Sequence, residues 1–163
     1  MKLYCAHRIP LPADAFWELL HAPRYEALVA EAAGLSEYTV LERRDETAAI
    51  YRRLHSRPAL PDALRGLLRR IAPGADALSY IEEQWRSKLR REVRFRMQPS
   101  VLGDRTRIEG VVRIEPRGSA SCVRILDGVV EVNLFGFGTL VERAIVAATI
   151  DAYAKGAAAV ARL

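Results

Sequence analysis

Side chains able to carry metal-dependent or covalent chemistry are few and scattered along this sequence. The three histidines, His7, His21 and His55, fall on separate predicted elements at spacings that suit no metal site. Cys5 and Cys122 are too few for a disulfide framework, and we expect both to be reduced core residues. Neither a G-x-S-x-G nucleophile motif nor a dinucleotide-binding fingerprint occurs. The sequence therefore predicts no metal, no cofactor and no serine triad.

Glu142 is the charged residue with the strongest indication of a role in a site. At about 100° per residue, it falls on the same side of the last predicted helix as Ile145 and Thr149, and so points toward the rest of the fold. A carboxylate there needs a hydrogen-bonded or charged partner. Two interpretations stay open. One is a salt bridge that fastens the helix start to an arginine of the sheet; the other is a ligand anchor or general acid with a raised pKa.

The third predicted strand presents an arginine on each of its faces. Tyr51, Arg53 and His55 share one face, and residues 50, 52 and 54 share the other. Arg53 beside Tyr51 would be a polar anchor if that face were turned inward, and would carry no role if it were solvated. The alternation leaves the inward face undecided.

The bulk composition favours one cytoplasmic domain. The chain has 163 residues, half of them hydrophobic, which is enough for a core or for a core with a cavity. No apolar run approaches the ~20 residues of a membrane span, and no signal-peptide stretch is present. The formal charge is +5, but arginines alternate with glutamates rather than clustering beside aromatic residues. Nucleic acid is therefore not an expected partner, whereas weak contact with an acidic membrane surface stays open.

The last 25 residues, 139–163, form the longest predicted helix. Its inward stripe comprises Ile145, Thr149, Ala152, Gly156 and Val160. Such small residues let a helix either approach its partner closely or leave room beneath it.

Upstream, residue patterns predict a sheet built from consecutive antiparallel strands. The predicted strands are 1–10, 35–44, 47–56, 80–86, 89–97, 106–115 and 121–134, and the predicted short helices are 13–20, 23–33 and 62–72. In the last strand Val123 and Ile125 read as core residues, yet later apolar positions have the opposite phase. A β-bulge at Asp127-Gly128 would reconcile the two.

The order of these elements resembles the START-like superfamily of helix-grip proteins, which includes lipid-transfer domains, polyketide cyclases, dehydrases and aromatases, and plant steroid- and hormone-binding proteins. The resemblance is carried by RIPLPADAFWELLHAPRYEALV after the first strand and LFGFGTLVERAIVAATIDAYAKGAA entering the last helix, and these stretches look most like a bacterial branch of unknown function. It implies a single α+β domain over residues 1–163, with a curved seven-stranded antiparallel sheet around the C-terminal helix. It further implies a cavity whose mouth is formed by residues 57–79, 98–105 and 135–138.

The resemblance and the patterns together give a candidate lining for this cavity and its mouth. The candidates are Trp17, Tyr51, Arg53, Leu64, Leu68, Tyr80, Trp85, Phe95, Ile108, Val112, Ile125, Phe135, Phe137, Glu142, Ile145 and Thr149. Among them, Phe135 and Phe137 alternate with glycines and are expected to form a gate. The helix over 62–72 is expected to be a lid with leucines facing the cavity and arginines facing solvent or acidic headgroups.

Three functions remain as alternatives at this point. The first is binding or transfer of a hydrophobic molecule such as a lipid, isoprenoid, sterol-like compound or polyketide. The second is a cyclase, aromatase or hydratase that uses the same cavity. The third is a pocketless structural or interaction module. A nearly apolar cavity favours binding, several inward polar residues favour the enzyme, and a filled core favours the module.

Overall fold

The structure is a computed structural model that describes residues 1–20, 22–60, 62–72 and 78–162. Its elements in chain order are β1 (Lys2–Ile9), α1 (Ala13–Leu19), α2 (Pro23–Ala32), β2 (Leu35–Asp45), β3 (Ala49–Pro58), α3 (Asp62–Ile71), β4 (Tyr80–Ser87), β5 (Glu92–Pro99), β6 (Thr106–Pro116), β7 (Cys122–Val132) and α4 (Gly138–Val160), with a 3₁₀ turn at Gly103–Arg105. The predicted seven strands and long last helix are confirmed. His21 and the proline boundaries predicted for α3, at residues 61 and 73, lie outside the described residues.

All seven strands form one antiparallel sheet in the order β1-β7-β6-β5-β4-β3-β2. Each strand from β2 to β7 pairs with the next strand in the chain, with α3 inserted between β3 and β4, whereas α1 and α2 carry the chain from β1 at one edge to β2 at the other. Helix α4 lies against β1, β7 and α2. One face of the curved sheet is thus covered by helices, and the other faces solvent.

Strand β7 differs from its predicted pattern. Its register with β6 is continuous from Cys122 to Val132, without a bulge. The inward set is therefore the even-numbered one, which includes Arg124 and Val130, while Ile125 faces outward opposite Arg113. The predicted bulge is wrong because alternation alone assigns an arginine to the solvent face, whereas the fold buries Arg124.

Two glycines fix the spacing at the centre of the sheet. Gly110 and Gly128 are cross-strand partners. A Cβ atom on Gly110 would lie 2.6 Å from the carbonyl oxygen of Asp127 and 3.0 Å from the ring of Phe95. The absence of side chains here lets the Phe95 ring lie against the backbone of β6.

The predicted inward stripe of α4 faces the sheet. Val141, Ile145, Gly156 and Val160 are buried, and Lys155 on the opposite side pairs with Asp151 at 2.7 Å. The largest fully buried side chains of the core include Phe16, Leu3, Ile9, Ile108, Leu126, Val130 and Val141. Within the described part of the chain, none of the helices has the length and hydropathy of a transmembrane segment.

Candidate functional site

A cavity of about 290 Å³ lies between the inward face of the sheet and helices α2, α3 and α4. Most of its wall is apolar. The sheet contributes Leu35, Leu54, Val93, Phe95, Met97, Ile108 and Val112, the helices contribute Val29, Leu64, Ile145, Ala148 and Ala152, and Leu20 lines the cavity just after α1. The small residues Ala148 and Ala152 leave room between α4 and the sheet, which larger side chains would fill. The pocketless module would require a filled core, and this core contains a cavity instead.

One polar cluster in the wall is centred on Arg52 of β3, which is 5% exposed. Its Nη1 atom forms an ion pair with Oε1 of Glu26, in the first turn of α2, at 2.5 Å. Its Nη2 atom donates a hydrogen bond to the hydroxyl of Tyr38 at 3.2 Å. Burial, together with the charge of Glu26, raises the pKa of Tyr38 to about 12. The phenol of Tyr38 therefore keeps its proton. The ion pair between Arg52 and Glu26 holds α2 against the sheet.

Beside this cluster, Glu82 and Gln84 of β4 face the cavity. Gln84 Nε2 donates to Glu82 Oε1 at 2.8 Å. Burial raises the pKa of the Glu82 carboxyl, although the Gln84 hydrogen bond and the charge of Arg52 oppose this shift. Burial also raises the pKa of Tyr80, which precedes Glu82 by two residues and lies on the same face of β4. Glu82 is thus an acid held near the cavity with an increased tendency to stay protonated.

Arg124 of β7 forms a second polar site, three strands away from β4 in the sheet. It is 4% exposed, and its guanidinium lies 4.5 Å from the ring centroid of Tyr153 on α4. It donates to the Tyr25 hydroxyl at 3.0 Å and to the Tyr153 carbonyl oxygen at 2.5 Å. These contacts hold α2 and α4 against β7.

The structure brings seven of the sixteen candidate residues together in the cavity wall. They are Leu64, Tyr80, Phe95, Ile108, Val112, Ile145 and Thr149. The Thr149 hydroxyl donates to the carbonyl oxygen of Ile145 at 2.8 Å, so its hydrogen-bonding capacity is partly used within the helix.

Three candidates on β3 and β4 lie on the opposite face of the sheet. Tyr51 donates to Glu83 Oε1 at 2.9 Å, and its ring packs against Trp85 with centroids 5.5 Å apart. Arg53 is exposed. The inward residue is Arg52 because Glu26 balances its charge and the Tyr38 hydroxyl accepts a hydrogen bond from it, although its Nε is buried without a partner. This pairing decides the face that alternation left open.

Three further candidates are buried or half-buried away from the cavity. Ile125 lies on the outer face of β7. Leu68, 3% exposed, belongs to the core beneath α3. Trp17 packs at the α1 end of the core, where the Arg86 guanidinium lies 4.6 Å from its ring centroid.

The last three candidates lie in the segment before α4 and in its first turns, and none of them lines the cavity. Phe135 is fully exposed, and Phe137 is 41% exposed. Gly136 between them has φ of +76°, a left-handed conformation that favours glycine. Glu142 accepts a hydrogen bond from the backbone N–H of Val132 at 2.9 Å and lies 3.5 Å from the Met1 amino group. These contacts fasten the helix start to the sheet, as in the first of the two interpretations, but through these groups rather than through an arginine.

Sequence reasoning missed Glu26, Glu82 and Arg124 in the polar wall and left the orientation of Arg52 undecided. The available signal was weak: Glu82 and Arg124 interrupt apolar positions of the same phase, such as Tyr80 on β4 and Leu126 on β7. Among the described residues, no three His, Cys, Asp or Glu side chains form a group able to hold a metal ion.

Residues 5–163 match the model of a family described as protein of unknown function (DUF2505). The chain belongs to this family. A comparison with curated proteins found no match to this DUF2505 sequence.

Solved structures place the DUF2505 chain in a known fold. It is similar to the Zhui aromatase/cyclase from Streptomyces sp. R1128, with 13% identity over 99% of this chain and 92% of that chain and a TM-score of 0.65. It is similar to norcoclaurine synthase from Thalictrum flavum in complex with dopamine and hydroxybenzaldehyde, with 15% identity over 99% of this chain and 84% of that chain and a TM-score of 0.63. It is also similar to a START superfamily protein from Mycobacterium smegmatis, with 16% identity over 95% of this chain and 92% of that chain and a TM-score of 0.60. These likenesses show that the chain has the helix-grip fold of these proteins, as predicted.

Proposed function

We propose that this DUF2505 protein binds a hydrophobic small molecule that carries at least one polar group, in the cavity between the sheet and α4. The observation that supports the proposal is a cavity with a largely apolar wall into which Arg52, Glu82 and Arg124 project. Small-molecule sites usually combine an apolar wall with a few polar groups that orient the ligand.

The size of the cavity narrows the ligand class. Its volume of about 290 Å³ lies at the lower end of the roughly 300–1,000 Å³ typical of ligand pockets. A compact aromatic polyketide or a short isoprenoid suits this volume better than a two-chain lipid. Norcoclaurine synthase, one of the structural neighbours, was solved with dopamine and hydroxybenzaldehyde, which are ligands of the size we propose.

A neutral fluorescent naphthalene ketone, prodan, tests the binding proposal. We expect prodan to bind the purified protein, and the substitution Ala152→Phe to weaken binding at least about tenfold because the new ring would fill the cavity. Ala154→Phe is the matched control, since Ala154 lies on the exposed side of the same helix. Equal prodan affinity in all three proteins would contradict binding in this cavity. Native mass spectrometry of the purified protein would then identify any co-purified ligand.

An enzyme of the cyclase or hydratase kind is the second candidate, favoured by the Glu82 carboxyl. A half-buried acid with a raised pKa in the wall of a ligand cavity can exchange protons with a bound molecule. We expect the protein to accelerate exchange of the methyl protons of 2-acetonaphthone in deuterated water, measured by NMR. Glu82→Gln should remove the acceleration and Glu83→Gln, on the outer face, should retain it. No acceleration by the parent protein would leave binding alone as the function.

We also propose that the protein makes weak contact with acidic membrane surfaces at the α3 end of the cavity. The leucines of α3 are buried, while Arg65, Arg69 and Arg70 are exposed. The fully exposed ring of Phe135 follows β7 at the same end of the sheet. Cations and an aromatic ring at one end suit an anionic interface. A cytoplasmic location and the lack of a nucleic-acid partner stay predictions from the sequence.

A further inference from the structure

Arg124 carries a charge that the described residues do not balance. Its two hydrogen-bond acceptors, the Tyr25 hydroxyl and the Tyr153 carbonyl oxygen, are both neutral. Its Nε atom is buried without a hydrogen-bond partner. Across residues 1–20, 22–60, 62–72 and 78–162, no carboxylate lies within ion-pair distance of its guanidinium. The side chain is nevertheless 4% exposed and lines the cavity.

The titratable groups that interact with this charge supply no anion. They are Cys5, His7, Tyr25, Cys122 and Tyr153. Burial raises the pKa of both thiols and both phenols, which therefore keep their protons. Burial and the nearby Arg124 charge lower the pKa of His7, so its imidazole is neutral at pH 7. The carboxyl of Glu82 is three strands away in the sheet order.

The contrast with Arg52 is informative. Arg52 is buried to the same extent, but Glu26 pairs with it at 2.5 Å. Both arginines link helices to the sheet, yet only Arg52 has a carboxylate partner. Burying a cation without an anion is costly, and such costs are expected at sites where the charge is used.

We propose that Arg124 binds the anionic group of the ligand, so that the ligand is a compact apolar molecule bearing a carboxylate. A guanidinium donates N–H groups in a planar fork that matches the two oxygens of a carboxylate, and a desolvated site strengthens these bonds. Each Nη atom has a second N–H group besides the one donated to Tyr25 or Tyr153. The inference rests on the proposed function, because it names the chemistry of the ligand for the same cavity.

A pair of matched probes tests the inference: 2-naphthylacetate and 2-naphthylacetamide share one carbon skeleton and differ in charge. We expect the parent protein to bind the carboxylate at least about tenfold more tightly than the amide at pH 7, measured by isothermal titration calorimetry. In Arg124→Gln the ratio should fall to near one, with the affinity for the amide little changed. Arg113→Gln is the control, because Arg113 is a 40% exposed arginine on the outer face that pairs with Asp127.

The outcomes separate the two proposals. Equal binding of both probes by the parent protein would overturn the role of Arg124 and leave hydrophobic binding intact. A carboxylate preference that survives in Arg124→Gln, or that disappears in Arg113→Gln, would also overturn it. Failure of the parent to bind either probe or prodan would remove the proposed function itself. If Arg124→Gln does not fold, Arg124→Lys retains the charge without the planar fork and should reduce the ratio while leaving it above one.

Discussion

Three charged residues on the inward face of the sheet differ in how their burial is compensated. Arg52 has a carboxylate partner, Arg124 has neutral partners, and Glu82 has an amide donor and a distant arginine. Burial penalises the charged form of an acid, so a carboxyl whose charge is incompletely compensated becomes protonated while its side chain stays in place. Of these three residues, Glu82 is therefore the one whose protonation should depend most on the fold.

The stability of the protein should report this protonation. The folded protein raises the pKa of Glu82 above its ordinary value of 4.5, so it binds the proton more tightly than the unfolded chain. The contribution of Glu82 to stability is then fully present below pH 4.5 and is lost as pH rises through the folded pKa. We expect Glu82→Gln to raise the melting temperature at pH 7 to 8, and the gain to shrink as the pH falls toward 4.5. Glu83→Gln should show no such trend; a gain from Glu82→Gln that is independent of pH would contradict the assignment.

Glu142 should behave as a structural residue. Glu142→Gln keeps an acceptor for the Val132 N–H but removes the charge that faces the Met1 amino group. We expect a loss of about 1 kcal/mol or less in the free energy of unfolding, since the pair is partly solvated. Glu142→Leu should cost more, about 1–3 kcal/mol, because the Val132 N–H loses its partner. Denaturant titration measures both, and prodan affinity should not change. Weakened probe binding at unchanged stability would instead make Glu142 a ligand anchor.

At the scale of elements, α3 combines a buried leucine side with an exposed arginine side. Leu64 reaches the cavity wall, while Leu67 and Leu68 join the core. Gly66 lies within this helix, and a Cβ atom there would meet no atom within 4 Å. The helix is thus closed over one end of the cavity and contains a residue that lowers its intrinsic stability.

Gly66→Ala tests whether α3 is a lid. Alanine favours the helical state over glycine by about 1 kcal/mol, so we expect a small rise in melting temperature. If α3 must open locally for a ligand to enter, the substitution should slow prodan uptake in stopped-flow fluorescence while leaving its equilibrium affinity within about twofold. A stabilised variant that takes up prodan at the parental rate would rule out this motion.

The whole molecule has an uneven surface, with the exposed cations of α3 and the exposed ring of Phe135 at one end. Charge reversal at Arg65, Arg69 and Arg70 should reduce co-sedimentation with vesicles that contain anionic phosphatidylserine at low salt. The same reversal at Arg94, Arg96 and Arg113, on the outer face of the sheet, is the control. Binding to neutral vesicles alone, or equal loss in both triple variants, would exclude a specific membrane-facing end.

The sequence by itself determined the order of elements and the inward stripe of α4. These features depend on local periodicity, which acts within a few residues: Ile145 and Thr149 lie one helical turn apart, and the clean alternation of β6 identifies Ile108 and Val112 as inward. The cavity residues that a helix or strand pattern assigns to the inward side were accordingly predictable.

Only the tertiary structure decided which face of β3 is inward and that Arg124 is buried. Alternation divides a strand into two faces but cannot choose between them when both contain an arginine. The choice depends on partners distant in the chain: Glu26 for Arg52, and Tyr25, 99 positions away, for Arg124. A buried charge is tolerated where such groups converge on it, and convergence is a property of the folded chain.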